Sequence, residues 1–270
     1  MSRFDYRFGK DFDKEKIIHS VSKYGIAVIE DFLEPKELEQ LKNESEILLK
    51  KQNEKKVTKN ETIIQKISLK SIDQKKFQEI SSLMHNNFFN YVAKDFFGPY
   101  PFAPEQAYIT YDKNEMAKNF QWHQDSITSI KFYFYLNDVT KKNGALKFDI
   151  GSHRKGFFRL MCKRMMGDYG GAFSIEEDEI LNGEDIEATA GSLVIFNPSG
   201  THAAGQIEHG LERFVIRFHF VASPTTSFVD RVTHKLWQTP LNVVRNQNVA
   251  RDARYNKRHQ SLDHHMAYHT

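Results

Sequence analysis

Two short stretches of the chain carry residue types that bind transition metals. The stretch 122–125 contains His123 and Asp125 two positions apart, and His202 lies much further along. Alternate residues of a strand share a face, so His123 and Asp125 can present their side chains to one ion. Two imidazoles and one carboxylate on one face of an octahedron form the ligand set of non-haem Fe(II) oxygenases. The pattern therefore predicts a metal centre built from these three residues.

A His-x-Asp pair alone is weak support for a metal site. Such pairs occur by chance in many chains, and a motif match is a hypothesis that needs context. His123 could instead be a hydrogen-bonded interior histidine, and Asp125 could cap a turn. The segments around the pair provide the context that separates these alternatives.

These segments occur in the order and at the spacing of a known family. From roughly Tyr24 to Val221 the sequence resembles the phytanoyl-CoA dioxygenase family of Fe(II)- and 2-oxoglutarate-dependent oxygenases. One position departs from the family pattern, since Ile150 stands where a proline usually precedes the Gly-Ser-His segment. The segments that carry the resemblance are Tyr24-Gly25-Ile26-Ala27-Val28-Ile29, His123-Gln124-Asp125, Asn143-Gly144-Ala145-Leu146, Gly151-Ser152-His153-Arg154-Lys155-Gly156, Gly191-Ser192-Leu193-Val194-Ile195-Phe196, His202 and Arg213.

The resemblance implies a set of cofactors and a reaction. It implies Fe(II) held by His123, Asp125 and His202, with 2-oxoglutarate and O2 as cosubstrates. Arg213 matches the family's arginine for the far carboxylate of 2-oxoglutarate. The implied reaction hydroxylates an unactivated C–H bond and releases succinate and CO2. Related halogenases have a small residue in place of the carboxylate ligand, so the intact Asp125 argues against a halogenase.

Strand parity extends the prediction to the walls of a pocket. Between residues 213 and 220, apolar residues alternate with a face that carries Arg213, Arg217 and His219. The same alternation places Lys131 on a polar face of residues 129–136. Candidate cosubstrate contacts are Arg213, Gln124, Tyr108, Thr110 and Tyr133, and candidate substrate contacts are Lys131, Arg217 and Tyr135.

The basic candidates also indicate what kind of substrate the pocket takes. A buried cation needs an anionic partner. Lys131 and Arg217, with the basic residues Arg154, Lys155 and Arg159 of a predicted loop, therefore predict a small anionic substrate. The alternative for Lys131 and Arg217 is an internal ion pair with Asp149 or Glu212.

The elements that must position these residues form a helical part followed by strands. Apolar spacing predicts helices over 11–23, from Pro35 onward, and over 72–97, with a strand at 26–29 between the first two. Strands are predicted at 106–111, 129–136, 146–150, 192–196 and 213–221. The fold class is α+β, mainly β, and the resemblance implies a double-stranded β-helix (a cupin-like jelly roll) with flanking N-terminal helices.

We expect a single oxygenase domain over residues 1–270. Its parts are a helical region at about 10–100, a jelly-roll core at about 104–222 and a C-terminal extension at about 223–270. The segment 167–187 interrupts the strands and is either a lid or binding loop, or a solvated loop. The histidine-rich extension has no clear periodicity and is interpreted as a flexible tail.

Composition narrows the location and the partners. The formal charge is +3 and the isoelectric point is near 8.7, with no concentrated basic face, so no nucleic-acid partner is expected. The only cysteine, Cys162, excludes an internal disulfide and favours a cytoplasmic location. No apolar run approaches the roughly 20 residues of a membrane span, so no membrane partner is expected. The sequence does not indicate an oligomeric state.

One other class of function is compatible with these patterns. A jelly-roll binding or sugar-modifying protein, with a non-redox metal or none, explains the strands and a polar pocket. It does not explain the spacing between His202 and Arg213. Tight zinc binding without a response to 2-oxoglutarate would favour it.

Overall fold

The computed structural model describes residues 4–53, 62–67, 72–98, 102–113, 121–125, 129–165 and 172–222. Five α-helices lie in these ranges: α1 (Lys14–Tyr24), α2 (Pro35–Asn53), α3 (Gln78–Met84), α4 (Asn87–Phe97) and α5 (His153–Met165). Twelve strands lie in the same ranges: β1 (Arg7–Phe8), β2 (Ile26–Ile29), β3 (Thr62–Ile67), β4 (Phe102–Lys113), β5 (His123–Gln124), β6 (Ser129–Tyr135), β7 (Leu146–Asp149), β8 (Phe173–Ser174), β9 (Gly183–Ile186), β10 (Leu193–Phe196), β11 (His202–Ala204) and β12 (Glu212–Ala222).

The strands form two sheets. The larger sheet has seven strands in the order β1-β2-β10-β6-β12-β4-β3, and the smaller has five in the order β8-β5-β11-β7-β9. Among the described strands, β1 and β2 pair in parallel and the other neighbours pair antiparallel. The described residues thus form a mixed α and β fold dominated by two antiparallel sheets.

Both faces of the seven-stranded sheet carry buried side chains. On one face, Phe214, Ile216 and Phe218 of β12 belong to a core that includes Phe89 of α4. On the other face, Val215 belongs to a second core shared with residues of the five-stranded sheet, such as Phe148. Helices α1 to α4 therefore cover one side of this sheet and the smaller sheet faces the other. This confirms the predicted separation of β12 into an apolar face and a face directed into the protein.

Helix α1 ends before Gly25, as the sequence predicts, but it begins at Lys14 and not at residue 11. The side chain of Asp13 accepts a hydrogen bond from the backbone N–H of Glu15 at the N-terminus. Gly25 follows the helix with φ 82°, in the left-handed region that glycine adopts without a steric cost. Its amide donates to Val21 and stops the helix directly before β2.

The single helix predicted over 72–97 is wrong. The chain forms α3 and α4 there, separated at His85 and Asn86. The Asn86 side chain accepts a hydrogen bond of 2.9 Å from the Phe88 amide, so it caps the N-terminus of α4. The apolar spacing continues across the break, which is why periodicity alone does not reveal it.

Two further segments differ from expectation. Residues after the Gly-Ser-His turn, predicted as a loop, form α5. The described part of 167–187 contains β8 and β9, and β9 pairs with β7, so this part belongs to the five-stranded sheet and is not a simple loop. The predicted tail at 223–270 lies outside the described residues. None of the helices in the described ranges combines the length and apolar composition that a bilayer crossing requires.

Candidate metal centre

The two predicted histidine ligands lie directly opposite each other on neighbouring strands. His202 of β11 pairs in register with His123 of β5, and their ring centroids are 4.3 Å apart. Paired residues of antiparallel strands project to the same face, so both imidazoles point to the same side of the five-stranded sheet. Asp125 follows β5, and its amide donates to the Pro198 carbonyl at 2.9 Å, which fixes it beside the segment that leads to His202.

The side-chain ends of the three residues converge on one point. Oδ1 of Asp125 lies 3.7 Å from Nε2 of His123 and 3.9 Å from Nε2 of His202. One ligand atom from each residue lies within 4.8 Å of the other two, and no other such group of three occurs among the described residues. The structure therefore brings the predicted triad together in a cluster that is compact enough for one ion.

Hydrogen bonds to the backbone orient both imidazoles. Nδ1 of His123 contacts the Gln121 carbonyl at 3.0 Å, and Nδ1 of His202 contacts the Gly200 carbonyl at 2.8 Å. A ring nitrogen next to a carbonyl oxygen must carry the proton, so Nε2 keeps its lone pair and faces the cluster. Burial lowers the pKa of His123, and burial together with His123 lowers the pKa of His202 well below its ordinary value. Neutral imidazoles with inward Nε2 atoms fit a divalent metal.

Lys131 of β6 adds a positively charged side chain to this cluster. Its Nζ lies 2.5 Å from Oδ2 of Asp125, and both side chains are buried. Burial alone would raise the pKa of Asp125, but Lys131, His202 and His123 together hold it well below the usual value. The alternative partners named for Lys131, Asp149 and Glu212, are wrong, because Lys131 pairs with Asp125, which follows β5 of the other sheet.

A second charged cluster lies on the seven-stranded sheet. Arg213 donates to Oδ2 of Asp112 through Nε at 3.1 Å and Nη2 at 2.8 Å, and Nη1 donates to the Gly144 carbonyl. Nη2 of Arg217 lies 3.8 Å from the same Asp112 oxygen. Burial would lower the pKa of Arg213, but Asp112 outweighs this and raises it. The ion-pair partner of Arg217 is therefore Asp112, and not Asp149 or Glu212, the partners named in the alternative to a binding role.

Sequence reasoning missed Asp112. Tyr108, Thr110 and Asp112 share one face of β4, but the predicted strand ended at residue 111. Extending the alternation by one residue would have placed a carboxylate beside Tyr108 and Thr110. The register that sets Asp112 directly opposite Arg213 was not available from the sequence.

The predicted tyrosine and threonine contacts lie on the inner face of the seven-stranded sheet. The guanidinium of Arg217 lies 4.7 Å from the Tyr133 ring centroid, and Tyr133 meets Phe196 edge-on. Tyr108 packs edge-on against His219, and Oγ1 of Thr110 donates to the Val215 carbonyl at 3.5 Å. Tyr135 lies in the core between the sheets, where burial raises its pKa to about 12.

Gln124 is not brought to the triad. Its Nε2 donates to Oγ1 of Thr201 at 2.8 Å, and these residues alternate with His123 and His202 along their strands. They therefore occupy the opposite face of the five-stranded sheet. Gln124 supports the strand pair from behind and is not placed for contact with a cosubstrate on the triad side.

Helix α5 closes this rear face and carries the other basic candidates. A Cβ atom at Gly156 would lie 1.7 Å from the Ser199 carbonyl oxygen, so α5 packs directly on the loop before His202. Arg154 and Lys155 are exposed on α5, and Arg159 pairs with Glu179. These side chains do not join Lys131 and Arg217 in the structure.

The polar side chains of the site come from both sheets. His123, His202 and the adjacent Asp125 come from the five-stranded sheet, whereas Lys131, Arg213 and Arg217 come from the seven-stranded sheet. Two imidazoles and one carboxylate thus lie between two facing sheets. These three groups are the ligand set of a non-haem iron centre.

Comparison with known families gives a more particular assignment. The model of the phytanoyl-CoA dioxygenase (PhyH) family matches residues 21–213, and the chain belongs to this family. This range contains the triad and Arg213. A search of curated proteins by sequence gave no significant match.

Solved structures share the fold at low sequence identity. AviO1 from Streptomyces viridochromogenes Tue57 is 18% identical, with a TM-score of 0.56, and the match covers 79% of this chain and 96% of AviO1. HygX from Streptomyces hygroscopicus, with nickel and 2-oxoglutarate bound, is 14% identical, with a TM-score of 0.58 and coverage of 78% and 88%. SnoN, an epimerase in complex with Fe3+, α-ketoglutarate and nogalamycin RO, is 17% identical, with a TM-score of 0.59 and coverage of 77% and 83%.

Proposed function

We propose that the protein is an Fe(II)- and 2-oxoglutarate-dependent dioxygenase that hydroxylates an unactivated C–H bond of a small anionic metabolite. The observation that carries the proposal is the convergence of His123, Asp125 and His202, with ligand atoms within 4.8 Å, in a member of this family. HygX with 2-oxoglutarate and nickel, and SnoN with α-ketoglutarate and Fe3+, support the same cofactors here.

The residues of the triad fit the role of iron ligands. Nε2 of His123, Nε2 of His202 and Oδ1 of Asp125 would hold the ion, because these three atoms face one another and carry no proton. Bound iron, 2-oxoglutarate and O2 supply an oxidant for C–H bonds, with succinate and CO2 as co-products. The chain contributes the positions of the ligands, of which Asp125 and His202 are buried.

Arg213 is the proposed partner of the far carboxylate of 2-oxoglutarate. A planar guanidinium can bind a carboxylate through two parallel hydrogen bonds. Arg213 and Arg217 share one carboxylate, Asp112, so this cluster has one positive charge in excess. That excess favours one more anionic group at the same place. Tyr108, Thr110 and Tyr133 lie on the same inner face and remain proposed cosubstrate contacts.

Arg217 is the residue that supports an anionic substrate. Its ion-pair contact to Asp112 is long at 3.8 Å, and its Nε has no hydrogen-bond partner among the described residues. A buried N–H group without a partner is costly, so a ligand that accepts from it is stabilised. Lys131 is less available, because its ammonium is held by Asp125. Tyr135 pairs with Val215 across the sheet, and both lie in the core between the sheets. Of the proposed substrate contacts, Tyr135 therefore has the least structural support.

SnoN is an epimerase, so the same fold accommodates a reaction other than hydroxylation. Desaturation and ring formation also depend on how the substrate lies. We propose hydroxylation because it needs no special substrate geometry beyond a nearby C–H bond.

We propose that the two sheets are the halves of a double-stranded β-helix, with their strands and the N-terminal helices in one oxygenase domain. The cytoplasmic location expected from the single cysteine stays a prediction.

An anaerobic titration tests the proposed cofactors. Metal-free protein is titrated with Fe(II) and then with 2-oxoglutarate, and the weak visible charge-transfer band of the chelate is recorded. We expect a band in the wild type, none in His202→Ala, and an undiminished band in His209→Ala, an exposed histidine outside the triad. Tight zinc binding with no band in folded wild-type protein would instead support a binding or sugar-modifying protein with a non-redox metal.

A further inference from the structure

The Asp125 carboxylate has two oxygens with different neighbours. Oδ1 faces Nε2 of His123 at 3.7 Å and Nε2 of His202 at 3.9 Å. Oδ2 faces Nζ of Lys131 at 2.5 Å. Lys131 comes from the seven-stranded sheet, so the sheet that does not carry the triad fixes the direction of its carboxylate.

We propose that Lys131 is a positioning residue that reserves one Asp125 oxygen for itself and leaves only the other to the metal. The inference rests on the proposed function. An ammonium at hydrogen-bond distance from a buried carboxylate oxygen makes a strong charge-assisted contact. An oxygen held in this way is not free to turn to the ion. Asp125 then supplies one ligand atom, and more of the coordination shell is left to 2-oxoglutarate and O2.

The surroundings of Lys131 favour this role over a contact with substrate. Its side chain is 6% exposed, and Nζ lies 5.9 Å from the centroid of Phe196, whose ring packs edge-on against His202. Lys131 is paired across the sheet with both Phe196 and His219. The ammonium is thus enclosed beside the triad and directed at one atom.

The charge of Lys131 has opposite effects on the two ligands of the site. A cation beside Asp125 repels a divalent ion and offsets part of the carboxylate charge. The same cation attracts the 2-oxoglutarate dianion. Removal of Lys131 should therefore strengthen metal binding and weaken cosubstrate binding. A lysine that only holds the fold together would, when removed, weaken both.

Lys131→Met separates these outcomes, with Co(II) as the metal probe because its visible bands report the number of ligands. Metal affinity is measured by competition with a chromophoric chelator, and 2-oxoglutarate affinity by calorimetry on the Co(II)-loaded protein. We expect 2-oxoglutarate binding to weaken by about tenfold, because the dianion loses the attraction of one nearby positive charge. Co(II) binding should be equal or tighter, and the bands of the variant should indicate an additional protein ligand.

Two further variants complete the test. Lys131→Arg keeps a cation on Oδ2 and should restore 2-oxoglutarate affinity, while Lys141→Met removes an exposed lysine 3.5 Å from Asp185 and should change neither affinity. If Lys131→Met fails to fold, Lys131→Gln replaces it in the same two measurements. The inference is overturned if Lys131→Met weakens the binding of both Co(II) and 2-oxoglutarate, or if Lys131→Arg does not restore 2-oxoglutarate affinity. Failure of the wild type to bind Co(II) or 2-oxoglutarate would instead overturn the proposed function.

Discussion

Asp112 is the carboxylate that offsets part of the positive charge of Arg213 and Arg217. Arg213 and Arg217 both approach its Oδ2, and the side chains of Arg213 and Asp112 are at most 10% exposed. Removing one partner of a buried ion pair leaves an uncompensated charge. The residue is therefore expected to be important for stability as well as for cosubstrate binding.

Asp112→Ala should lower the free energy of unfolding by about 3 kcal/mol, because two guanidinium groups lose their shared carboxylate. Urea denaturation of the metal-free protein measures this change. Asp185→Ala is the matched control, since it breaks an ion pair with Lys141, which is 74% exposed, and should cost less than about 1 kcal/mol. Equal losses in the two variants would show that Asp112 does not stabilise the arginines.

His153 gives the stability of the protein a pH dependence that can be assigned to one residue. Burial lowers its pKa from the ordinary value of 6.5, and this outweighs the hydrogen bond from Nε2 to the Ser22 carbonyl. The unfolded chain therefore takes up the proton more readily than the folded protein. The contribution of neutral His153 to the free energy of unfolding is therefore fully present above pH 6.5 and is lost as the pH falls below that value.

His153→Gln should reduce this dependence. The measurement is the free energy of unfolding at about pH 7.5 and about pH 5.5, either side of the ordinary histidine pKa. The wild type should lose more stability on acidification than His153→Gln. Other buried histidines shift in the same direction, so the difference between the two proteins isolates His153. An identical loss in both proteins would contradict the assignment.

At the scale of elements, helix α5 supports the metal site from outside. Gly156 allows α5 to contact the loop that ends at His202, since a Cβ there would lie 1.7 Å from the Ser199 carbonyl oxygen. Gly156→Ala should destabilise the protein by about 1–3 kcal/mol, as overpacking does. It should also weaken metal binding, because the loop must move.

Thermal unfolding and a Co(II) titration measure the two effects of Gly156→Ala. Gly9→Ala serves as the control, because a Cβ at Gly9 would meet no heavy atom within 4 Å. Destabilisation without any change in Co(II) affinity would show that the loop and His202 are not coupled to α5.

The sequence predicts elements whose pattern is local and uninterrupted. Strands β2 and β6, the alternation in β12 and the Gly25 cap of α1 follow from alternation and capping rules. The Asn86 break was missed because a capping side chain does not interrupt apolar periodicity. The short strand β11 was missed because three residues are too few to show alternation.

The candidate site could be predicted only in part for a related reason. Parity assigns a side chain to a face, but it does not say which strand lies opposite. Lys131 and Arg217 were placed on the inner face correctly, whereas their partners Asp125 and Asp112 depend on strand order and register across distant segments. These long-range pairings are set by packing of the complete chain.

At the scale of the whole molecule, ligands of the proposed site should join the two sheets. The triad belongs to the five-stranded sheet and Arg213 to the seven-stranded sheet. A 2-oxoglutarate molecule that chelates the metal and binds Arg213 contacts both. Because a ligand that binds only the folded state stabilises it, a concentration of 100 times the dissociation constant adds about 2.7 kcal/mol.

Fe(II) and 2-oxoglutarate together should therefore raise the melting temperature by more than the sum of their separate effects. The measurement is anaerobic thermal unfolding of the metal-free protein with each ligand and with both. Succinate has the two carboxylates but no keto group for chelation, so with Fe(II) it should give a smaller increase. In Arg213→Ala, most of the increase beyond the sum of the separate effects should be lost, because the cosubstrate then contacts only one sheet. If the separate increases in melting temperature simply add, one 2-oxoglutarate molecule does not contact both the metal and Arg213. The location of the site between the two sheets then plays no part in cosubstrate binding.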